Sequence, residues 1–162
     1  MTADDLIDLV EMHAGALTLY ARQWTDSPDD VVQTAFLKLV RLPIPPDNPV
    51  PWLYAVVRNA ARDARRASRR RNKYETRRAE QTAPWFAPSD DPTGLDGEAA
   101  TEALAALPDD VREIVIAHLW GGLTFEQIAA TVGGSASTAF RRYQAGIAAL
   151  RDQLGVPCPT RK

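Results

Sequence analysis

Five prolines fall within nine residues, at Pro43, Pro45, Pro46, Pro49 and Pro51. Proline fixes φ and removes an amide donor, so neither a helix nor an inner strand runs through such a stretch. The chain must pass it as a stiff loop, and Pro51 suits the first position of a following helix. A second barrier spans residues 81–97, where Pro84, Pro88, Pro92, Gly94 and Gly97 accompany an acidic run with little periodicity. It reads as a linker, with Trp85 and Phe86 as a local docking contact onto one of the flanking units.

Between these barriers the apolar residues recur at helical spacing. Thr2 and Asp5 have the spacing of a capping box ahead of Leu6, Leu9, Val10, Leu17, Tyr20, Ala21 and Trp24, which predicts a helix over 3–24. Ser27-Pro28-Asp29-Asp30 starts a second helix, with Ser27 as cap and Val32, Ala35, Phe36, Leu39 and Val40 on its apolar face. A third runs from Pro51 past Arg66, with Leu53, Val56, Val57, Ala60 and Ala64 toward the core. Beyond the linker, Leu104 and Leu107 close a short helix and Pro108 opens another, whose Ile114-Val115-Ile116-Ala117 is core-sized. Thr124 and Gln127 form a second capping box. Gly133-Gly134 then separates that short helix from a last one, capped by Ser135 or Ser137 and carrying Ala139, Tyr143, Ile147, Leu150 and Leu154. The expected fold is all-α: two small helical domains joined by a flexible linker, residues 1–80 and 98–162 around 81–97, the second containing a helix-turn-helix.

Charge is more informative in pieces than in total. The chain nets −2, but residues 58–78 carry +8 and residues 79–113 carry −8. A mildly acidic protein thus conceals one dense basic block. Cys158 is the only cysteine, which excludes an internal disulfide and a zinc site on paired cysteines. His13 and His118 sit in no metal-spacing motif, so both read as ordinary helix residues. No nucleophile–base pair, phosphate loop or metal cluster stands out, so neither an enzyme nor a cofactor is expected. The acidic N-terminus is unlike a signal peptide, and no apolar run approaches the ~20 residues of a membrane span. The expected location is the cytoplasm.

The basic block has the spacing of a phosphate-binding face. Arg58, Arg62, Arg65, Arg66 and Arg69 advance by three or four residues along the third helix. Dense cationic charge binds nucleic-acid backbone with strong salt dependence. Trp52 and Tyr54 lie at the helix start, where aromatic faces can stack unpaired bases; Trp52 fits a core role equally well. Asn59 and Asp63 fit either a DNA contact or a local hydrogen bond to the arginines. In the last helix Ser137, Thr138, Arg141 and Gln144 are candidates for base or phosphate contact, and Arg142 for a phosphate anchor. Phe140 fits a thymine-methyl contact or internal packing, with packing favoured.

Taken together, the segments resemble the extracytoplasmic-function (ECF) type of RNA polymerase sigma factor. Asp29-Asp30-Val31-Val32-Gln33-Thr34-Ala35-Phe36-Leu37-Lys38-Leu39 is similar to that family's polymerase-binding helix. Pro51-Trp52-Leu53-Tyr54-Ala55-Val56-Val57-Arg58-Asn59-Ala60-Ala61-Arg62-Asp63, with the arginine run, is similar to its promoter-melting helix. Leu107 through Leu150 is similar to its upstream-element helix-turn-helix. Thr34 stands where the family usually has Glu, and Phe140 where a Lys or other polar residue is usual.

The resemblance implies that Asp30, Gln33, Thr34, Lys38 and Arg41 bind core RNA polymerase and that the 43–51 loop cradles a flipped base of the −10 element. It also implies that Trp52, Tyr54, Arg58, Asn59, Arg62, Asp63, Arg65, Arg66 and Arg69 serve −10 recognition and melting, and that Ser137, Thr138, Phe140, Arg141, Arg142 and Gln144 serve the −35 element. Promoter DNA and an anti-sigma factor are the further partners it implies. The residues alone leave two alternatives: a stand-alone helix-turn-helix regulator, and a sigma-like protein–protein adaptor. The opposed charges suggest that acidic residues such as Asp90, Asp91, Asp96 and Glu98 screen the basic helix in the free protein.

Overall fold

The structure is a computed structural model and describes residues 2–72 and 97–155. Seven helices and no strand occur among the described residues: α1 Ala3–Ala21, α2 Pro28–Val40, α3 Pro49–Asn72, α4 Gly97–Ala106, α5 Asp109–Leu119, α6 Phe125–Val132 and α7 Ala136–Leu154. The all-α expectation agrees with this architecture.

The helix starts are set by local chemistry. The Thr2 hydroxyl accepts from the Asp5 amide at 3.2 Å, while the Thr2 amide donates to Asp5 Oδ2 at 2.7 Å. Thr124 and Gln127 repeat this reciprocal box at α6. Ser135 caps α7, its hydroxyl accepting from the Thr138 amide at 3.2 Å. Ser27 departs from expectation and makes no side-chain cap. Its backbone sits at φ −122, ψ 60 rather than in the extended region that aims a capping hydroxyl at the helix amides. Pro28, Asp29 and Asp30 mark that start instead. Helix α3 begins at Pro49, two residues before the expected Pro51. The first turn of a helix needs no amide donors, so it accommodates both prolines. Helix α1 ends at Ala21, short of the expected Trp24. The chain turns there, with the Trp24 amide donating to the Ala21 carbonyl at 3.0 Å and the indole meeting the Tyr20 ring edge-on at 5.2 Å.

Leu17, Tyr20, Leu39, Leu53 and Val57 fill the space among α1, α2 and α3. Leu104, Ile114, Val115, Ile116, Ile128 and Ala139 do the same for α4 to α7. Gly146 lets α7 lie close to α5, since a Cβ there would meet Val111 and Val115 methyls at 2.7 Å. Gly133 and Gly134, at φ 92 and 103, make the turn between α6 and α7 that a β-carbon would strain.

The two helical units also pack on each other. Helix α1 lies against α5, and α3 against α6. Buried residues from both units form one contiguous cluster. At the junction Gly121 approaches Tyr54 so closely that a Cβ would lie 2.4 Å from the phenol oxygen. The Tyr54 and Tyr20 rings meet at 4.9 Å beneath it.

Candidate nucleic-acid interface

Helix α7 presents the simpler surface. Ser137, Phe140, Arg141 and Gln144 follow helical spacing and are all exposed, forming one stripe near the N-terminal end of the helix. Ala139 is buried, and Tyr143 and Ile147 are half-buried against the core, as expected. Thr138 is half-buried, its hydroxyl 3.0 Å from that of Ser135 and its amide bonded to the cap, so it builds the helix start rather than the stripe. Arg142 is drawn aside to Asp110 at 3.4 Å. Phe140 combines the two expected placements: it packs against a neighbouring ring yet remains 44% exposed. The reason is a small aromatic stack behind it. Phe125 meets Phe140 edge-on at 5.2 Å, His118 stacks on Phe125 at 4.4 Å, and Tyr143 closes on His118 at 4.7 Å. His118 Nδ1 lies 2.8 Å from the Leu123 carbonyl, which fixes the ring in a structural role. The stack fills the space beneath, and Phe140, packed on Phe125, stays partly in solvent.

Helix α3 is more complex. Asn59, Asp63, Arg66 and Arg69 are exposed; Arg62 and Arg65 are half-buried; Trp52 is half-buried against the core; Tyr54 is fully buried. Arg66 pairs with Asp63 at 3.3 Å, the local bond that was one reading of Asp63. Arg58 is the exception in its neighbourhood. Its Nε donates to Glu113 Oε2 at 3.0 Å and its Nη2 to Glu113 Oε1 at 3.2 Å. Both side chains are shielded, at 15% and 7% exposure. Burial works against the Arg58 charge, but the bonds to the Glu113 carboxylate and its charge outweigh it and hold the guanidinium above its ordinary value. Two turns along, Arg65 Nη1 donates to Asp109 Oδ2 at 3.0 Å. That hydrogen bond, more than any other cause, holds the Asp109 carboxyl below the usual carboxylate range. Burial pushes the Tyr20 and Tyr54 phenols up, and the Glu113 charge adds to the effect at Tyr20. Between the units lies a cleft of about 320 Å³, lined by Arg58, Arg62, Arg65, Arg66 and Arg142 and faced by Asp109.

Sequence reasoning missed Glu113, Asp109 and Gly121 as parts of this region. The −8 segment that includes both carboxylates was the available signal, but it gave no way to choose among nine acidic residues. Asp90, Asp91, Asp96, Trp85 and Phe86 lie outside the described residues, as does the side chain of Glu98.

Helix α2 offers a third surface. Asp30, Gln33, Thr34, Lys38 and Arg41 are all exposed and share one side of the helix, with Leu37 exposed among them. Asp29, next to this stripe, accepts from the Thr18 hydroxyl at 3.2 Å and ties α2 to α1. The described residues hold no cluster of three or more metal-ligating side chains and no helix long and apolar enough to cross a membrane.

Comparison with known proteins finds two family matches along the chain. Residues 9–71 match Sigma-70 region 2, and residues 97–150 match Sigma-70 region 4. The RNA polymerase sigma factor CarQ of Myxococcus xanthus is 35% identical over 130 residues, covering 78% of this chain and 74% of the relative. The ECF RNA polymerase sigma factor SigL of Mycobacterium tuberculosis is 30% identical over 158 residues, covering 91% and 89%. The solved sigma factor RpoE of Bartonella quintana, in complex with the anti-sigma factor NepR, has the same fold at a TM-score of 0.76 and 22% identity, over 97% of this chain and 100% of its own. With both sigma regions in order, and relatives of this extent, the chain belongs to the ECF family of RNA polymerase sigma factors, the alternative factors that bind core polymerase and direct promoter-specific initiation.

Proposed function

We propose a division of labour among the three surfaces. Asp30, Gln33, Thr34, Lys38 and Arg41 on α2 dock core polymerase. The proline loop at 43–48, the first turn of α3 and its arginine face, with Trp52, Asn59 and Asp63, hold the opened −10 element. Tyr54 joins them once Gly121 no longer covers it. Ser137, Phe140, Arg141 and Gln144 on α7 read the −35 element, with Thr138 ordering the helix start and Arg142 anchoring phosphate. The working units are residues 1–80 and 98–162, tethered by 81–97.

The observation that carries this reading is the exposed stripe at the N-terminal end of α7, held on the same chain as a helix lined with arginines. An α-helix fits the major groove of duplex DNA, and its N-terminal side chains reach base edges there. Arginines on a helix bind backbone without reading sequence, which suits a strand being opened. One surface therefore selects the site and the other holds its product. The factor supplies binding energy and no catalytic chemistry; nucleotidyl transfer belongs to the polymerase. The protein works in the cytoplasm, and an anti-sigma partner restrains it, in line with the NepR complex of its structural neighbour.

The test mixes the purified chain with core polymerase and a randomised promoter library and sequences the transcripts. Initiation at a shared pair of spaced elements is the expected outcome. Operator binding without polymerase would favour the stand-alone regulator. A tight protein partner with no specific transcripts would favour the adaptor.

A further inference from the structure

The arginines of α3 have an occupant already. Arg58 and Arg65 lie seven residues apart on α3, and Glu113 and Asp109 lie four residues apart on α5. The pairing runs in opposite directions, Arg58 with Glu113 and Arg65 with Asp109, so one edge of α5 lies antiparallel along the arginine face. Four residues of helix rise about 6 Å. This spacing of negative groups is comparable with that of successive phosphates along an unstacked strand. The guanidinium fork that grips the Glu113 carboxylate through two parallel bonds is the geometry that grips a phosphate.

We infer that the Asp109–Glu113 edge of α5 is an internal competitor for the strand-binding arginines of α3, standing where the phosphodiester backbone of single-stranded promoter DNA would lie, so that the free protein is closed against melting a promoter. The inference rests on the assignment of α3 as the strand-holding surface. Three features support it. The two bridges cross from one unit to the other, so they report on closure rather than on the folding of either unit. The same closure seals Tyr54 under Gly121. A buried ion pair gains little over well-packed apolar residues, whereas losing one partner strands a charge, which makes such a pair a better switch than a support. The outer arginines stay accessible: Arg66 is 71% exposed, and Arg69, Arg70 and Arg71 are exposed beyond it. An incoming strand lands there first and then displaces α5 toward the middle of the helix. The internal competitor thus comes from α5 of the second helical unit, whereas the sequence points to the linker and the adjoining helix start, at Asp90, Asp91, Asp96 and Glu98.

The experiment uses the full chain as wild type, Asp109→Asn, Glu113→Gln, the double variant, and, as a control with the charge change of a single variant, Glu102→Gln at an exposed position of α4. The probe is a fluorescent single-stranded DNA of random sequence, titrated at several salt concentrations. Small-angle scattering gives the radius of gyration, and circular dichroism gives helical content. The double variant is expected to bind the strand at least about fivefold more tightly than wild type and to expand, with Glu102→Gln close to wild type in both. Asp109→Asn alters an exposed side chain whose Oδ1 also accepts from Arg112 of its own helix at 2.7 Å, and with helical content read beside affinity it keeps the test valid if Glu113→Gln loses helix; it should show a smaller gain in the same direction. Equal affinity and equal dimensions across wild type, Asp109→Asn and the double variant overturn the competitor. Absence of strand binding by every protein, even at low salt, instead overturns the assignment of α3 and the inference with it.

Discussion

Helices α3 and α7 both carry arginines, yet the protein treats them oppositely. The α7 stripe is open: Arg141 and Gln144 face solvent, and only Arg142 is drawn to a neighbouring carboxylate. On α3 the middle of the helix is taken by α5, and only the distal arginines are uncovered. Cationic charge makes a surface attractive to phosphate and to carboxylate alike. Whether it is available to DNA depends on what the rest of the chain places opposite it. Under the assignment proposed above, α7 reads duplex sequence and α3 holds the opened strand, and of the two only the α3 surface is covered.

The largest test of this contrast concerns how firmly the two units are joined. Ile114→Ala in the second unit and Leu53→Ala in the first each remove a fully buried aliphatic side chain and should cost about 2–5 kcal/mol. Since the buried cluster is contiguous, either change should shift one shared thermal transition in calorimetry. Two separated transitions would show that the units fold independently and that closure is weak.

Gly121→Ala comes next. The new β-carbon would lie 2.4 Å from the Tyr54 oxygen and 2.5 Å from the Ala117 carbonyl. Overpacking of this kind costs about 1–3 kcal/mol. Chemical denaturation should register the loss, and the radius of gyration should grow as the seal over Tyr54 is pried apart.

The two arginine surfaces should also fail differently. Arg141→Ala should relax base preference at one position of the upstream element, by about 1–3 kcal/mol of discrimination. Arg69→Ala should weaken strand binding uniformly across sequences and lower the salt slope by about one. Binding-site selection separates the two, and a loss of base preference on changing Arg69 would erase the distinction.

Capping gives a smaller contrast. Thr124→Ala removes a bonded cap of the helix-turn-helix and should cost about 1 kcal/mol. Ser27→Ala removes a hydroxyl that caps nothing and should stay within about 0.5 kcal/mol in the same melt.

The smallest effect is that of acid. The Asp109 carboxyl is held below its ordinary range, chiefly by Arg65, so the closed form resists protonating it. Its contribution is present above the ordinary carboxylate pKa of about 4 and fades as pH falls through the lowered value. Scattering should find the same dimensions from pH 6 to 8 and a slightly looser molecule in acid. Loosening between pH 6 and 8 would place the controlling group elsewhere.

Much of this was legible without coordinates because it is local. Threonine capping boxes, the glycine turn before α7 and the proline barrier at 43–51 act through neighbours in the chain, and their consequences follow from spacing. The exposed faces of α2 and α7 follow from period as well. Spacing is not enough where a distant element intervenes. For Phe140 the sequence leaves open a thymine-methyl contact or packing, and the stack of Phe125 and His118 behind it is what leaves it partly exposed. Position at the helix start makes Tyr54 a candidate for stacking, and only the packing shows it buried beside Gly121.

Residue type and periodicity along a few turns are enough to read the helices, their order, the spacing of the arginines and the family likeness. Which acidic residues face the arginines is settled by packing. Nine carboxylates lie between residues 79 and 113, and along the chain they are nearly equivalent. Packing α5 against α1, and α6 against α3, brings Asp109 and Glu113 within 3.0 Å of guanidinium nitrogens. An ion pair needs its partners in contact, and contact between residues 55 positions apart is a property of the fold.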